Sequence, residues 1–108
     1  MILIVNKHLL GHRFNGMSLW PFLIMRSEDL KKDRIFIDHE RIHLRQQAEL
    51  LVLPFYIWYF AEYLIRLLQY RDQMKAYRNI SFEKEAYHHE RHKDYLSHRR
   101  FWAFLAYL

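Results

Sequence analysis

Backbone breakers are scarce in this chain, and that scarcity narrows its folds more than any other feature. Only two glycines and two prolines stand among 108 residues, 52% of which are hydrophobic. The chain is therefore neither disordered nor loop-rich, and long helices are expected. Its length suits one domain, residues 1–108, with a single core. The breakers that are present mark its joints. Asn15-Gly16 is a tight-turn pair, because both residues tolerate positive φ. With the β-branched and leucine residues 2–5 before it and the apolar run 17–25 after it, residues 1–26 read as a small hairpin or two-strand ribbon. Pro21 cannot donate to a ladder, which places its strand at an edge.

Beyond residue 34 the pattern is helical. One helix is expected over 35–53, ended or kinked by Pro54. A second covers 55–70, hydrophobic nearly all round and so expected to be buried and central. Ser81 reads as the N-cap of a third helix over 82–98, with Glu83 and Glu85 suiting its positive end. The tail, 101–108, is apolar and must pack somewhere. The fold class read from this is mainly α with a small N-terminal β-ribbon and three main helices.

Composition excludes several functions. With no cysteine, disulfides and thiolate metal sites are ruled out, so any metal is held by histidines and carboxylates. The formal charge of +5 is spread along the chain and mixed with acids, which reads as a solvated surface and not a nucleic-acid footprint. Residues 1–5 are too short for a signal-peptide core, so a cytoplasmic protein is expected. Residues 50–61 are uncharged, but as helix they span roughly 18 Å against a hydrocarbon core of roughly 30 Å. A buried helix is favoured there, with peripheral membrane contact as the alternative. The aromatic run 55–63 reads as core, or as a lipid- or peptide-facing groove where exposed.

The stretch that carries chemistry is His39-Glu40-Arg41-Ile42-His43, which fits HExxH. Imidazoles four residues apart project from one helix face and can grip one metal ion. Glu40 is then placed to take a proton from a water at that ion. Phe36, Ile37, Ile42 and Leu44 give this helix a buried side, and Gln46 and Gln47 stay near the His39/His43 face.

Together with Phe82-Glu83-Lys84-Glu85-Ala86 downstream, this motif resembles the gluzincin-type zinc metallopeptidases. Those pair an HExxH helix with a glutamate on a later helix, often within ExxA followed by Asp or Asn. The run HExxHxxQQ also resembles that of small bacterial proteins with metallopeptidase motifs. The resemblance implies a minimal zincin-like α+β fold, zinc held by His39, His43 and a later glutamate, and Glu40 as general base. The ExxA pattern picks Glu83 as third ligand. Periodicity agrees, since Ile80, Glu83, Ala86 and Tyr87 share a largely apolar face, where a carboxylate is costly unless paired or ligating. Glu85, with His88, His89 and His92 on the opposite, polar face, is the alternative. The chain departs from the pattern at Tyr87, where Asp or Asn would orient a ligand histidine; tyrosine offers a hydrogen bond but no charge.

The function these observations lead one to expect is a zinc-dependent peptidase acting on a peptide or protein substrate. Tyr87 and His89 are the candidate oxyanion donors, and the ribbon around 19–24 the candidate edge for an extended peptide. Two rivals stand beside it. One is a non-catalytic, metal-stabilised protein of the same fold; the other is a membrane-associated module using 50–68 and the tail. His88-His89-Glu90-Arg91-His92 reads as a solvated helix face, and His8 and His12 are given no role.

Overall fold

The computed structural model describes residues 1–10 and 15–108; His12 lies outside the described residues. Three short strands, β1 (Ile2–Val5), β2 (Gly16–Leu19) and β3 (Phe22–Met25), precede five helices. These are α1 (Arg34–Leu50), α2 (Val52–Tyr70), α3 (Gln73–Arg78), α4 (Ser81–His89) and α5 (Tyr95–His98), and a 3₁₀ turn, Ala103–Tyr107, follows them. The chain is mainly α with a small N-terminal sheet, as its composition implies.

The sheet has one strand more than expected. Its order is β1-β3-β2, with β1 parallel to β3 in the register Ile2↔Phe22 and β2 antiparallel to β3 in the register Leu19↔Phe22. The hairpin turn is at Trp20-Pro21, joined by a cis peptide, and Asn15-Gly16 instead opens β2. Pro21 therefore sits in the turn, and the strand after it is central. Residues 22–24 cannot offer a free edge, because β3 is paired on both sides, whereas Leu19 lies on β2, an edge strand.

Asp33 caps α1 by accepting from the Phe36 amide at 3.1 Å, which satisfies one of the helix's orphan donors. The break between α1 and α2 falls at Leu51, φ 67° and ψ 154°, a conformation costing a non-glycine residue about 1–3 kcal/mol. The two helices diverge there by 112°. Pro54 breaks nothing. It occupies the first turn of α2, where the first intrahelical bond runs from the Phe55 amide to the Leu51 carbonyl, so a missing N–H costs nothing.

Two apolar clusters flank α1. Leu23, Met25 and Leu44 join it to the sheet, while Leu50, Phe55, Ile80, Phe82 and Phe104 tie it to α2, α4 and the tail. The expectation of a buried helix over 55–70 is corrected: only Phe55 and Glu62 of α2 are buried. Tyr56, Trp58, Tyr59 and Tyr63 pack partly buried against the core, while Leu53, Ile57, Phe60, Leu64, Ile65 and Leu68 on its outer face are exposed. The third helix also ends early, at His89 instead of residue 98, and the chain turns before α5.

Ser81 is not a cap. Ile80 holds that position without a side-chain bond, and Glu62 of α2 does the work from outside. Its Oε1 accepts the Ser81 amide at 2.8 Å and its Oε2 accepts the Ser81 hydroxyl. Glu62→Ala is expected to leave that buried amide unpaired and to cost about 1–3 kcal/mol in denaturant unfolding. Glu62→Gln, which keeps one acceptor, should cost less; an Ala variant as stable as the parent would show the clip to be idle.

Candidate metal centre

α1 presents His39 and His43 on successive turns, and α4 crosses α1 so that Glu83 enters between them. Glu83 Oε1 lies 3.1 Å from His39 Nε2 and 3.0 Å from His43 Nε2. The two Nε2 atoms are 3.2 Å apart. All three side chains are buried. Glu83 Oε2 is held by the Tyr59 hydroxyl of α2 at 2.6 Å.

The partners on the outer side of each ring decide what points inward. His39 Nδ1 donates to Glu90 Oε2 at 2.7 Å. His43 Nδ1 lies 2.8 Å from Gln46 Oε1. Gln46 Nε2 already donates to the Phe82 carbonyl and to Glu85 Oε1, so its oxygen must accept and His43 Nδ1 must donate. In the neutral rings both Nε2 atoms then carry lone pairs, aimed at the same place as a carboxylate oxygen. Three acceptors at that spacing repel unless a cation sits among them.

The donor set fits a metal ion. Tetrahedral zinc, with bonds of about 2.0–2.1 Å, holds its ligand atoms about 3.3 Å apart. The observed separations of 3.0–3.2 Å let all three atoms reach one point about 1 Å out of their plane. His39, His43 and Glu83 are thus a buried group that could hold a metal ion.

Electrostatics point the same way. Burial opposes a charge on His43, yet the Glu83 and Glu40 carboxylates outweigh it and push the imidazole up to about 9. Burial likewise works against the Glu83 anion, but with no metal ion a protonated His43, and the bonds that protons on Nε2 of either ring would donate, hold it well below the usual carboxylate range. Glu40 is raised, chiefly by burial, against the opposing pull of His43 and His39. The pocket is short of positive charge, and a proton or a metal ion can supply it.

Glu40 lies on the wall of a cleft of about 960 Å³ shared with His39, Tyr59, Tyr77 and Tyr87. A smaller cleft of about 350 Å³, also lined by Glu40, Tyr59 and Tyr77, runs between β2 and α2. Tyr87 packs its ring on His39 with centroids 4.4 Å apart, and its hydroxyl meets that of Tyr77 at 3.1 Å.

Two residues weighed for the site lie away from it. Glu85 is fully buried and is not on a polar face. Its carboxylate accepts from Arg99 Nε at 2.5 Å and from the Tyr95 hydroxyl at 2.6 Å, so it is engaged with the tail and touches the centre only through Gln46. His89 stacks on Tyr95 at 3.6 Å and bonds the Tyr107 hydroxyl at 2.7 Å, which removes it as an oxyanion donor.

Three partners of the site were missed in the sequence. Glu90, read as part of a solvated face, orients His39, the task expected of an acid at position 87. Glu83, Tyr87 and Glu90 are spaced four and three apart, so helical periodicity held that signal. Tyr59 falls in the aromatic run 55–63, whose spacing reads as core or as a lipid- or peptide-facing groove and gives no sign of a bond to Glu83. Tyr77 lay in a stretch read as a basic connection.

The sheet is tied to the same helix. Gln47 Nε2 donates to the Ser18 carbonyl at 2.9 Å, Gln47 Oε1 accepts the Trp20 amide at 2.6 Å, and the Tyr56 hydroxyl also bonds the Ser18 carbonyl. The outer edge of β2 is therefore engaged at Ser18 and Trp20. No protein-family model, curated protein or solved structure matches this chain.

Proposed function

We propose that this chain is a zinc-dependent hydrolase of peptide bonds. The observation that carries the reading is the convergence of His39 Nε2, His43 Nε2 and Glu83 Oε1 beside a buried glutamate that does not join them. When bound, zinc supplies Lewis acidity toward a water molecule and a scissile carbonyl. Glu40, one residue from His39 and on the cleft wall, takes the proton of the attacking water and delivers it to the leaving amine. The water oxygen first adds to the carbonyl carbon, and the C–N bond breaks when the carbonyl re-forms and the amine nitrogen takes the proton from Glu40.

Tyr77 replaces the earlier candidates as oxyanion donor, because it faces both parts of the cleft. Burial, then Glu83, raises its phenol well above the ordinary value, so it keeps its proton. Tyr87 orients it through the hydroxyl pair and steadies His39 by ring contact. Glu90 and Gln46 fix the imidazoles, a support that ligand histidines commonly need.

Metal analysis tests the reading. The purified chain is expected to bind one zinc, and at a hundredfold excess over Kd the ion should stabilise the fold by about 2.7 kcal/mol. For a domain of this size that raises Tm by roughly 10 °C or more. His43→Ala and Glu83→Gln should abolish the rise. A parent chain with no affinity for zinc sinks the proposal, and bound zinc without turnover on any peptide favours the metal-stabilised, non-catalytic rival.

A further inference from the structure

α2 has two faces with different surroundings. Opposite the buried Phe55 and Glu62, the side chains of Leu53, Ile57, Phe60, Leu64, Ile65 and Leu68 are 43–81% exposed. They recur at intervals of three and four and so form one stripe along about 22 Å of helix. With Ala61 among them, the stripe carries no charged or hydrogen-bonding side chain. Its exposed area is on the order of 700 Å², above the about 300–600 Å² of the largest patch on a typical monomer.

We propose that this stripe seats the protein in the plane of an anionic lipid bilayer surface. The proposal goes beyond the hydrolase reading and stands whether or not the metal site is filled. No single helix among the described residues is long and apolar enough to cross a membrane, and the stripe occupies one face of α2 with the core on the other, so the contact proposed is in the plane of the surface.

Three observations favour lipid over a second copy of the chain. First, the stripe is too wide for one partner helix. A helix pair buries about two positions in seven, whereas this stripe uses about three, and a bilayer surface accepts the whole face. Second, the half-buried rings of Trp58 and Tyr63 border it, one on either side, where amphipathic aromatics meet the headgroup level. Third, its C-terminal end runs into exposed Arg71 and Lys75. Asp72 between them caps α3 through the Lys75 amide at 3.0 Å and still counts as one anion against the two cations, so the end stays net positive, which complements anionic headgroups. The seating also places the larger cleft: Phe60 of the stripe and the exposed Met74 line it together with His39 and Glu40, so its mouth borders the docked face.

Vesicle flotation of the full chain tests this. The parent is expected to float with phosphatidylglycerol–phosphatidylcholine vesicles and to bind phosphatidylcholine alone more weakly. Ile57→Glu with Leu64→Glu, at two exposed positions, should reduce partition by roughly tenfold or more while circular dichroism and Tm stay unchanged. Arg71→Glu with Lys75→Glu should lose the preference for anionic vesicles even if the first variant misfolds. A parent that stays in solution with both vesicle types, or a folded first variant that binds as the parent does, overturns the proposal. So does a parent dimer without vesicle binding that the first variant converts to monomer, because it assigns the stripe to a second copy.

Discussion

Glu40→Gln is expected to bind zinc as the parent does and to hydrolyse peptide substrate about 10²–10⁴-fold more slowly. The substitution keeps shape and hydrogen-bonding reach but removes a buried carboxylate of the cleft wall that neither joins the three converging atoms nor, as Glu90 does, holds a ligand ring from outside. Affinity should survive because the ligand distances of 3.0–3.2 Å involve His39, His43 and Glu83 alone. Stability should hold or rise slightly, since burial already works against the Glu40 anion. The informative readout is the split: unchanged zinc content and Tm with a collapsed kcat. Equal turnover in parent and variant removes Glu40 from the chemistry.

Arg99→Met is expected to cost about 3–5 kcal/mol, a large share of a total that for most domains is about 5–15 kcal/mol. The Arg99 side chain is fully buried between Glu85, at 2.5 Å, and Glu49, at 2.6 Å. Removing the guanidinium leaves two carboxylates in the interior without a counter-charge. Adding Glu85→Gln should recover part of the loss, a coupling that a change in packing alone would not produce.

The pH dependence follows from the same bonds. Burial pushes the Glu85 carboxyl up, but Arg99, Tyr95 and Gln46 outweigh it and the net shift is downward. A carboxyl depressed in the folded state stabilises above its unfolded pKa, and that stabilisation is lost as pH falls through the folded value. The parent should therefore lose stability in acid. In Arg99→Met the carboxyl lacks its cation and no longer has this stabilisation to lose, so the gap between the two proteins should narrow as pH falls. A gap that is constant with pH would show that Glu85 is not the residue left exposed to the loss.

Local spacing made part of this molecule readable. Two imidazoles one turn apart define a face, and the ExxA spacing favoured Glu83; the contrast of apolar and polar faces drawn between Glu83 and Glu85 did not hold, because both are buried. Elsewhere the relevant physics was not local. Pro54 looked like a break because proline usually costs a bond, but in a first turn no bond is lost. The parallel pairing of β1 with β3 joins segments whose alternation is poor, so nothing in residues 2–5 announces the partner. Arg99 neutralises a glutamate 14 positions away, a match that only the path of the tail creates. The outward face of α2 misled for a different reason: an apolar helix looks the same in sequence whether protein or something else covers it.

Gln46 and Gln47 are adjacent on one helix, yet one supports an imidazole while the other grips the hairpin. The support of His43 and the anchor of the hairpin thus rest on consecutive residues of α1, so any change that unwinds this one turn is felt at both places.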